Sequence, residues 1–224
     1  MTALVGVFDS GIGGLSILQS LRAELPQSRF IYIADSGHAP YGERTDAHVM
    51  ARSRAIMAEL LSRQVQALVI ACNTATAVAI EQLRADYPDL PIIGVEPALK
   101  PALALSRTRR IGVMATRSTL ASTKFKTLLA SLAGQAEFVL QPCDGLADAI
   151  ERSASSNDTS TIQALCAQYT QAMGLFGTNS GQIDTLVLGC THYPFATEPL
   201  RELLGHKSSW SATGRRWRGR HASS

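Results

Sequence analysis

Short apolar runs alternate along the chain with longer segments in which apolar residues recur at helical spacing. The runs lack the polar alternation of a half-exposed strand, so they indicate strands buried on both faces, as in parallel sheets covered by helices. The pattern predicts strands over 3–8, 30–34, 67–71, 91–95, 110–115, 136–140 and 184–188. It predicts helices over about 14–25, 44–63, 74–86, 98–106, 118–132, 144–152, 159–174 and 195–204. The expected fold class is α/β with doubly wound parallel sheets.

The two halves of the chain repeat this order of elements. "LVGVFDSGIGGLSIL" near the start and "RIGVMATRSTLASTKF" from residue 110 both predict a strand, a small polar turn and a helix. A strand that ends in cysteine follows in each half, at Cys72 and Cys190. Two similar α/β units that face each other would bring these strand ends to one crevice, where open parallel sheets bind ligands.

Composition narrows the protein class. With 224 residues, 46% of them hydrophobic, the chain can form one large domain or two small ones. Its four cysteines form no CxxC pair, so neither a zinc site nor a redox dithiol is indicated, and a reduced cytoplasmic protein is expected. The first residues lack a signal-peptide pattern, and no apolar run approaches the ~20 residues that span a bilayer. We therefore expect no membrane partner.

The net charge of +3 comes from the C-terminal segment. Residues 206–224 carry five basic residues and no acidic ones, and the remainder holds 16 basic against 18 acidic residues. The body of the chain is not basic, so we expect no nucleic-acid partner for it. The segment shows no strand or helix period and is expected to be mostly disordered unless it docks, while the polar segment 153–160 predicts a surface loop or a short link between helices.

Cys72 and Cys190 have two interpretations. Free cysteine is among the most buried residue types and usually packs as a small apolar side chain. However, each of these follows a predicted strand and precedes a predicted helical start, where the helix dipole and backbone N–H groups would lower the thiol pKa. His192 can also exchange a proton with Cys190. Two cysteines in matching settings favour chemistry over packing. Cys143 could lie at the periphery of a site, and Cys166 is interpreted as packing.

Two glycine-containing loops follow the first strands. "FDSGIGG" (8–14) matches no phosphate-binding motif, and it predicts a tight turn that exposes Asp9 and Ser10 to a small polar ligand. That Asp9 only caps the next helix is equally compatible with this stretch. "ADSGHAPYGER" (34–44) predicts either an ordinary surface loop or a loop that covers a ligand with Tyr41 and the backbone near Gly42.

The motifs "FDSGIGG", "APYG", "ACNTAT" and "GCTHYP", in this order and spacing, resemble those of the glutamate racemase family from about residue 4 to residue 205. The resemblance implies two α/β domains related by a pseudo-two-fold axis, with the substrate enclosed between them. It implies domains over 1–97 and 98–205, with 206–224 as the C-terminal return of the first. It also implies interconversion of L- and D-glutamate without a cofactor, which supplies D-glutamate for peptidoglycan, and it allows for a homodimer.

By the same resemblance, Cys72 and Cys190 are the catalytic residues, with Asp9 assisting Cys72 and His192 assisting Cys190. The substrate-binding residues that it implies are Ser10, Pro40, Tyr41, Gly42, Asn73, Thr74, Thr116, Thr119, Glu151 and Thr191. No metal ligand is implied. Inverting an α-carbon requires removal of its proton from one face and delivery to the other, which explains the need for two cysteines.

Alternatives concern the cofactor, the substrate and the tail. Pyridoxal phosphate on a lysine is the other route to racemisation, but none of Lys100, Lys124, Lys126 and Lys207 follows a recognisable phosphate-binding loop. Aspartate is a related substrate, and His192 after the second Cys-Thr favours glutamate in the resemblance. Family members usually continue past residue 205 with another strand, turn and helix, whereas this chain becomes rich in Trp and Arg. The remaining alternative is therefore an impaired, less stable glutamate-binding protein.

Overall fold

The structure is a computed structural model, and it describes residues 3–156, 158–205, 209–212 and 215–217, the last two ranges as backbone only. The first sheet is entirely parallel and has the order β2-β1-β3-β4. Its strands are β1 (Leu4–Asp9), β2 (Arg29–Ala34), β3 (Ala67–Ile70) and β4 (Ile92–Gly94). The helices that connect them are α1 (Leu15–Glu24), α2 (Asp46–Ser62) and α3 (Asn73–Asp86).

The second sheet repeats this arrangement, with the order β6-β5-β7-β8-β9. Its strands are β5 (Arg110–Ala115), β6 (Glu137–Pro142), β7 (Thr185–Leu188), β8 (Ser209–Ala212) and β9 (Arg215–Trp217). The helices are α4 (Leu99–Leu105), α5 (Arg117–Ala121), α6 (Thr123–Ala130), α7 (Leu146–Ser156), α8 (Ser160–Met173) and α9 (Thr197–Leu204). Both sheets begin with the same order, in which the first strand lies between the second and third, so the predicted α/β class with two similar parallel sheets is confirmed.

Both faces of the central strands are buried, as the apolar runs predicted. Along β1, Val7 packs into a core on one face and Phe8 into a core on the other. The same division occurs in the second sheet, where Val187 and Leu188 of β7 belong to different core clusters. Full burial of each such side chain stabilises the fold by about 1.5–3 kcal/mol, which explains why these runs are mainly apolar.

Two predicted elements differ from the structure. The helix expected over 118–132 is broken at Ser122, whose extended backbone ends α5 and whose hydroxyl accepts a hydrogen bond of 3.1 Å from the Phe125 N–H to cap α6. The polar segment 153–160 was predicted as a surface loop or a short link between helices, and the link is shorter than predicted because α7 continues to Ser156 and α8 begins at Ser160. Serine costs little free energy inside a helix, so burial of the amphipathic face of α7 determines how far this helix extends.

The C-terminal strands also differ from expectation. Strand β8 pairs in parallel with β7 in the second sheet, and β9 pairs antiparallel with β8. The sequence analysis instead assigned 206–224 to the first domain and expected little regular structure in it. Pairing with β7 satisfies the backbone groups along an edge that would otherwise be open. The remainder of that segment lies outside the described residues, and the division into domains at residue 97 stays a prediction.

The strand register brings the candidate residues together. Phe8 pairs with Ile70 in the first sheet, so the residues after β1 and β3 lie side by side. Met114 pairs with Leu188 in the second sheet, which does the same for the residues after β5 and β7. The carboxyl ends of these four strands therefore lead into candidate site residues, among them Ser10, Cys72, Thr116 and Cys190. In the part of the chain that the structure describes, every helix is too short or too polar to cross a membrane.

Candidate active site

The two cysteines lie immediately beyond β3 and β7, and both are buried, with 5% exposure for Cys72 and 7% for Cys190. Cys72 is the N-cap of α3, and its sulfur accepts a hydrogen bond of 3.4 Å from the Ala75 N–H. Cys190 precedes a short 3₁₀ helix at Tyr193–Ala196. A charge on Cys190 raises the pKa of Cys72, so the two sulfurs are close enough to interact electrostatically.

The thiol of Cys72 is held in its protonated form. Its sulfur donates a hydrogen bond of 3.7 Å to the hydroxyl oxygen of Ser10. Burial raises the pKa of Cys72 to about 12, and the nearby Asp9 carboxylate adds to this effect, while the Ala75 N–H opposes it. The sequence analysis expected the helix N-terminus to lower this pKa, and that expectation was wrong. The hydrogen bond from the Ala75 N–H at the helix N-terminus does lower the pKa, but desolvation of the thiolate raises it by more.

Asp9 joins the two halves of the molecule. One carboxylate oxygen accepts a hydrogen bond of 3.0 Å from the Gly11 N–H, and the other accepts one of 2.9 Å from the Thr191 hydroxyl. Asp9 is fully buried, and burial raises its pKa above the ordinary value although His192 and these hydrogen bonds oppose the shift. The helical turn that follows has no side-chain cap, so Asp9 fixes the loop and contacts the second half instead of capping a helix.

Beside Cys190, the imidazole of His192 connects the thiol to a carboxylate. His192 Nδ1 lies 3.8 Å from the Cys190 sulfur, and Nε2 lies 2.8 Å from Glu151 Oε1. Burial alone would lower the pKa of His192, but the hydrogen bonds to Cys190 and Glu151 and the nearby Asp9 outweigh it and raise that pKa to about 10. His192 is therefore an imidazolium at neutral pH, with a hydrogen to donate to each neighbour.

Glu151 also ties its helix to the first half of the chain. The Ile12 N–H donates a hydrogen bond of 2.7 Å to the same Oε1 that contacts His192. Gly13 explains part of the glycine motif, because a Cβ there would approach His192 Nδ1 to 2.6 Å and the Thr191 hydroxyl to 2.7 Å. The turn after β1 and the motif after β7 thus pack directly against each other.

Three threonines form a hydroxyl cluster between the halves. Thr74, at the start of α3, lies 3.0 Å from the Thr116 hydroxyl, which donates a hydrogen bond of 2.9 Å to Thr119. Gly42 abuts this cluster, since a Cβ at Gly42 would come within 2.5 Å of Thr116 Cβ and Cγ2. Hydroxyl groups that can donate or accept are suited to binding a carboxylate.

Asn73 and Tyr41 contribute different groups. The Asn73 side-chain N–H₂ donates a hydrogen bond of 3.1 Å to the Val95 carbonyl, whereas its buried Oδ1 has no hydrogen-bond partner among the described residues. That oxygen can accept a hydrogen bond from a bound ligand. The Tyr41 hydroxyl donates to Asp35 at 2.6 Å and so points into its own half. Pro40, which precedes it, follows a cis peptide bond.

Cys143 and Cys166 lie in the core beside the site. Cys143 belongs to the same core cluster as Cys190, and its thiol donates a hydrogen bond of 3.4 Å to the Gln141 carbonyl. Cys166 is fully buried in α8, and burial raises its pKa to about 11. Both are suited to packing. Within the described ranges, no group of three or more His, Cys, Asp or Glu side chains could hold a metal ion, and a cofactor-free site stays a prediction.

A cavity of about 810 Å³ adjoins the threonine cluster. It lies between the first half and helices α5 and α6, and Gly42, Glu81, Arg117 and Lys124 are among its lining residues. Because Gly42 also contacts Thr116, the cavity places solvent space next to the cluster. Cys72 and Cys190 do not line this cavity, and both are largely buried from water.

The sequence analysis missed several contacts at the site. The Tyr32 hydroxyl donates a hydrogen bond of 2.6 Å to the Gly11 carbonyl. Asp35 accepts a hydrogen bond from the Tyr41 hydroxyl and another from Arg52. The tyrosine inside the mainly apolar run of β2 was the one available signal, since an aromatic hydroxyl buried in a strand needs a partner.

The chain was also compared with known proteins. The family model for Asp/Glu/hydantoin racemase matches residues 15–208. Glutamate racemase of Ectopseudomonas mendocina is 45% identical over 212 residues, which cover 95% of this chain and 78% of that protein. The crystal structure of Escherichia coli glutamate racemase with L-glutamate and the activator UDP-MurNAc-Ala superposes with a TM-score of 0.84 at 31% identity, covering 96% of this chain and 79% of the other.

A second solved structure is similar with the other enantiomer bound. Glutamate racemase of Francisella tularensis in complex with D-glutamate has a TM-score of 0.76 at 27% identity. The superposition covers 95% of this chain and 76% of that one. The predicted two-sheet α/β fold therefore has close counterparts among proteins that bind a small amino acid.

Proposed function

Because the chain belongs to the Asp/Glu/hydantoin racemase family, we propose that it interconverts L- and D-glutamate with the thiols of Cys72 and Cys190. It is an amino-acid racemase that acts on a small-molecule substrate. One observation carries the assignment of the two thiols: each lies beyond the third strand of its parallel sheet, is buried, and has its own polar partner. Ser10 contacts the first sulfur and His192 contacts the second.

The reaction requires two groups because one base would return the proton to the face from which it came. A thiolate on one side of the α-carbon removes the proton, while a thiol on the other side delivers one. We assign Cys190 to the deprotonation of L-glutamate and Cys72 to that of D-glutamate. Each acts as the acid when the other is the base.

The surroundings of the two thiols differ in a way that suits these roles. His192 is positively charged at neutral pH and stabilises negative charge on Cys190, while Glu151 balances the imidazolium. Cys72 rests as a thiol because burial and Asp9 oppose its ionisation. This geometry suits Cys190, beside His192, as the base and Cys72, beside Ser10, as the acid when L-glutamate is the substrate.

The substrate is held by groups that lie around the sulfurs. The hydroxyls of Thr74, Thr116 and Thr119 are suited to binding a carboxylate. The unpartnered Asn73 Oδ1 can accept a hydrogen bond from the α-ammonium group. Such fixed dipoles in a site closed to water stabilise the developing carbanion charge, which is the largest barrier for a weakly acidic α-proton.

The proposal also covers the biological role of the enzyme, its compartment, its cofactor and its assembly. The enzyme supplies D-glutamate for peptidoglycan in the cytoplasm, without a cofactor, and two copies form a homodimer. The halves 1–97 and 98–205 act as separate domains that close on the substrate. Four free cysteines support a reducing compartment.

Proton NMR in D₂O tests the function. The purified chain is given L-glutamate, D-glutamate or L-aspartate without added cofactor, and loss of the α-proton signal and formation of the other enantiomer are followed. Exchange with both glutamate enantiomers, and at least about 100-fold slower exchange with aspartate, is expected. Cys72→Ser and Cys190→Ser should abolish racemisation. Cys166→Ala, which changes a cysteine outside the site, is the matched control and should leave the rate unchanged. Absence of exchange with glutamate in the folded chain would refute the proposal.

A further inference from the structure

The phenol of Tyr41 is hydrogen-bonded within its own half of the chain. Tyr41 is 1% exposed and packs in the same core cluster as Cys72. Its hydroxyl donates a hydrogen bond of 2.6 Å to Asp35 Oδ2. A phenol has a single hydrogen to donate, so this contact leaves none for a ligand in the crevice. Burial and the Asp35 hydrogen bond raise the pKa of Tyr41 far above neutrality, which keeps that hydrogen in place.

Asp35 is in turn held by a two-point contact. Arg52 Nε donates to Asp35 Oδ2 at 2.9 Å, and Arg52 Nη2 donates to Oδ1 at 2.8 Å. His38 Nδ1 lies 3.1 Å from the same Oδ1. Burial alone would raise the pKa of Asp35, but the hydrogen bonds from Arg52 and Tyr41 hold it below the ordinary value. The carboxylate is therefore charged, and the paired contact fixes its orientation.

The position of Arg52 is fixed by the helix on which it lies. It lies on α2, whose buried face includes Val49, Ile56 and Met57. These residues belong to the core cluster that also contains Tyr41 and Cys72. The position of the phenol is thus set relative to the helix layer that supports the first cysteine.

The other end of the same turn meets the second domain. Tyr41 begins the 3₁₀ turn Tyr41–Glu43, and Gly42 lies so close to Thr116 that no Cβ fits between them. Thr116 contacts Thr74 at 3.0 Å. A shift of the phenol by a few tenths of an ångström would move the Gly42 backbone against the threonine cluster.

We propose that Asp35 and Arg52 are positioning residues for the substrate site, which fix the Gly42 backbone against Thr116 by anchoring the phenol of Tyr41. The inference rests on the proposed function and adds to it residues that the sequence motifs did not indicate. Tyr41 acts as an anchor and takes no part in proton transfer. Loss of the anchor weakens substrate binding and leaves the two thiols in place.

A double-mutant cycle on Tyr41→Phe and Asp35→Asn tests this. Each single change should raise KM for both enantiomers by about 10- to 100-fold, the range expected for loss of a hydrogen bond to a charged group. The kcat values should stay within about twofold, because only binding interactions are lost. The double variant should be no worse than the more severe single one, since both changes break the same contact.

A matched control and a milder variant accompany the cycle. Arg54 lies on the same helix and pairs with Asp86 at 3.1 Å on the surface, so Arg54→Gln should leave KM unchanged. Arg52→Lys keeps the charge but loses the two-point contact, so it should also raise KM. It takes the place of Asp35→Asn in the test if that variant does not fold. Circular dichroism melts of each variant report on folding.

Calorimetric titration with D-glutamate separates this inference from the proposed function. Racemisation by the parent chain with unchanged KM in the variants would overturn the positioning role alone. A lower kcat at constant KM in Tyr41→Phe would also overturn it. So would a double variant whose increase in KM equals the product of the two single increases. If the parent chain binds D-glutamate without racemising it, the proposed function fails, and a dissociation constant raised by the variants still supports the anchor. Absence of binding would refute both.

Discussion

The Thr191 hydroxyl donates a hydrogen bond of 2.9 Å to Asp9 Oδ2, so the residue after the second cysteine holds the carboxylate that lies near the first. The two residues are 182 positions apart in the chain and come from different sheets. The acid-base groups of the two halves are therefore connected before any substrate arrives.

Thr191→Val tests this connection. The variant removes a hydrogen-bond donor from a fully buried carboxylate, and kcat/KM should fall by about 10- to 100-fold. The fall should be equal for L- and D-glutamate, because a racemisation between enantiomers has an equilibrium constant of one. Thr191→Ser keeps the hydroxyl and should retain most activity, as measured by polarimetry. An unchanged kcat/KM in Thr191→Val would show that the hydrogen bond to Asp9 does not contribute to the reaction.

The raised pKa of His192 predicts a pH dependence of stability. The folded-state pKa of His192 is about 10, against an ordinary value of 6.5. Its contribution is thus fully present below pH 6.5 and is lost as pH rises towards 10, by at most about 1.4 kcal/mol per pH unit.

Urea unfolding at pH 6, 8 and 10 measures this contribution against His192→Asn. The stability difference between the parent chain and the variant should shrink as pH rises. A difference that stays constant with pH would mean that the pKa of His192 is not raised in the folded protein.

The two cysteines should differ in their reactivity. Because the pKa of Cys72 is raised to about 12 and its side chain is buried, iodoacetamide should modify it slowly at pH 7.5. The imidazolium of His192 should make Cys190 faster by at least about 10-fold. Peptide mapping by mass spectrometry gives both rates, with the fully buried Cys166 as the reference for local opening. Faster modification of Cys72 than of Cys190 would contradict the assigned resting states.

Glu43 should help to close the two halves. Its carboxylate accepts a hydrogen bond of 2.8 Å from the Gly145 N–H, at the start of the helix that carries Glu151. Glu43→Ala should raise KM by about 2- to 10-fold, as expected for loss of an exposed hydrogen bond. Glu43→Gln keeps an acceptor oxygen and serves as the control in the same steady-state assay. A KM that is unchanged in Glu43→Ala would show that this contact does not affect binding.

Much of the architecture followed from the sequence because its cause is local. The apolar runs of β1, β3, β5 and β7 are buried on both faces, and the cysteines follow two of these strands as predicted. The predicted family is confirmed by the family model that matches residues 15–208. Spacing along the chain was sufficient for these features.

Other features depend on contacts between distant residues. The pKa of Cys72 could not be predicted because burial, which decides its direction, comes from tertiary packing. The anchor formed by Asp35 and Arg52 joins a strand end to a helix 17 residues later, and neither residue belongs to the four motifs that carry the family resemblance. Likewise, the pairing of β8 with β7 depends on an open sheet edge that the local pattern does not reveal.

The location of deuterium in the first product molecules tests the two-thiol assignment most directly. L-glutamate is incubated in D₂O, and both enantiomers are separated by chiral chromatography after a few per cent conversion and analysed by mass spectrometry. Because Cys190 removes the proton and Cys72 delivers one from solvent, the D-glutamate should carry deuterium at the α-carbon and the remaining L-glutamate should carry none. D-glutamate that retains the original proton would show that a single group serves both faces, and this result would contradict the assignment.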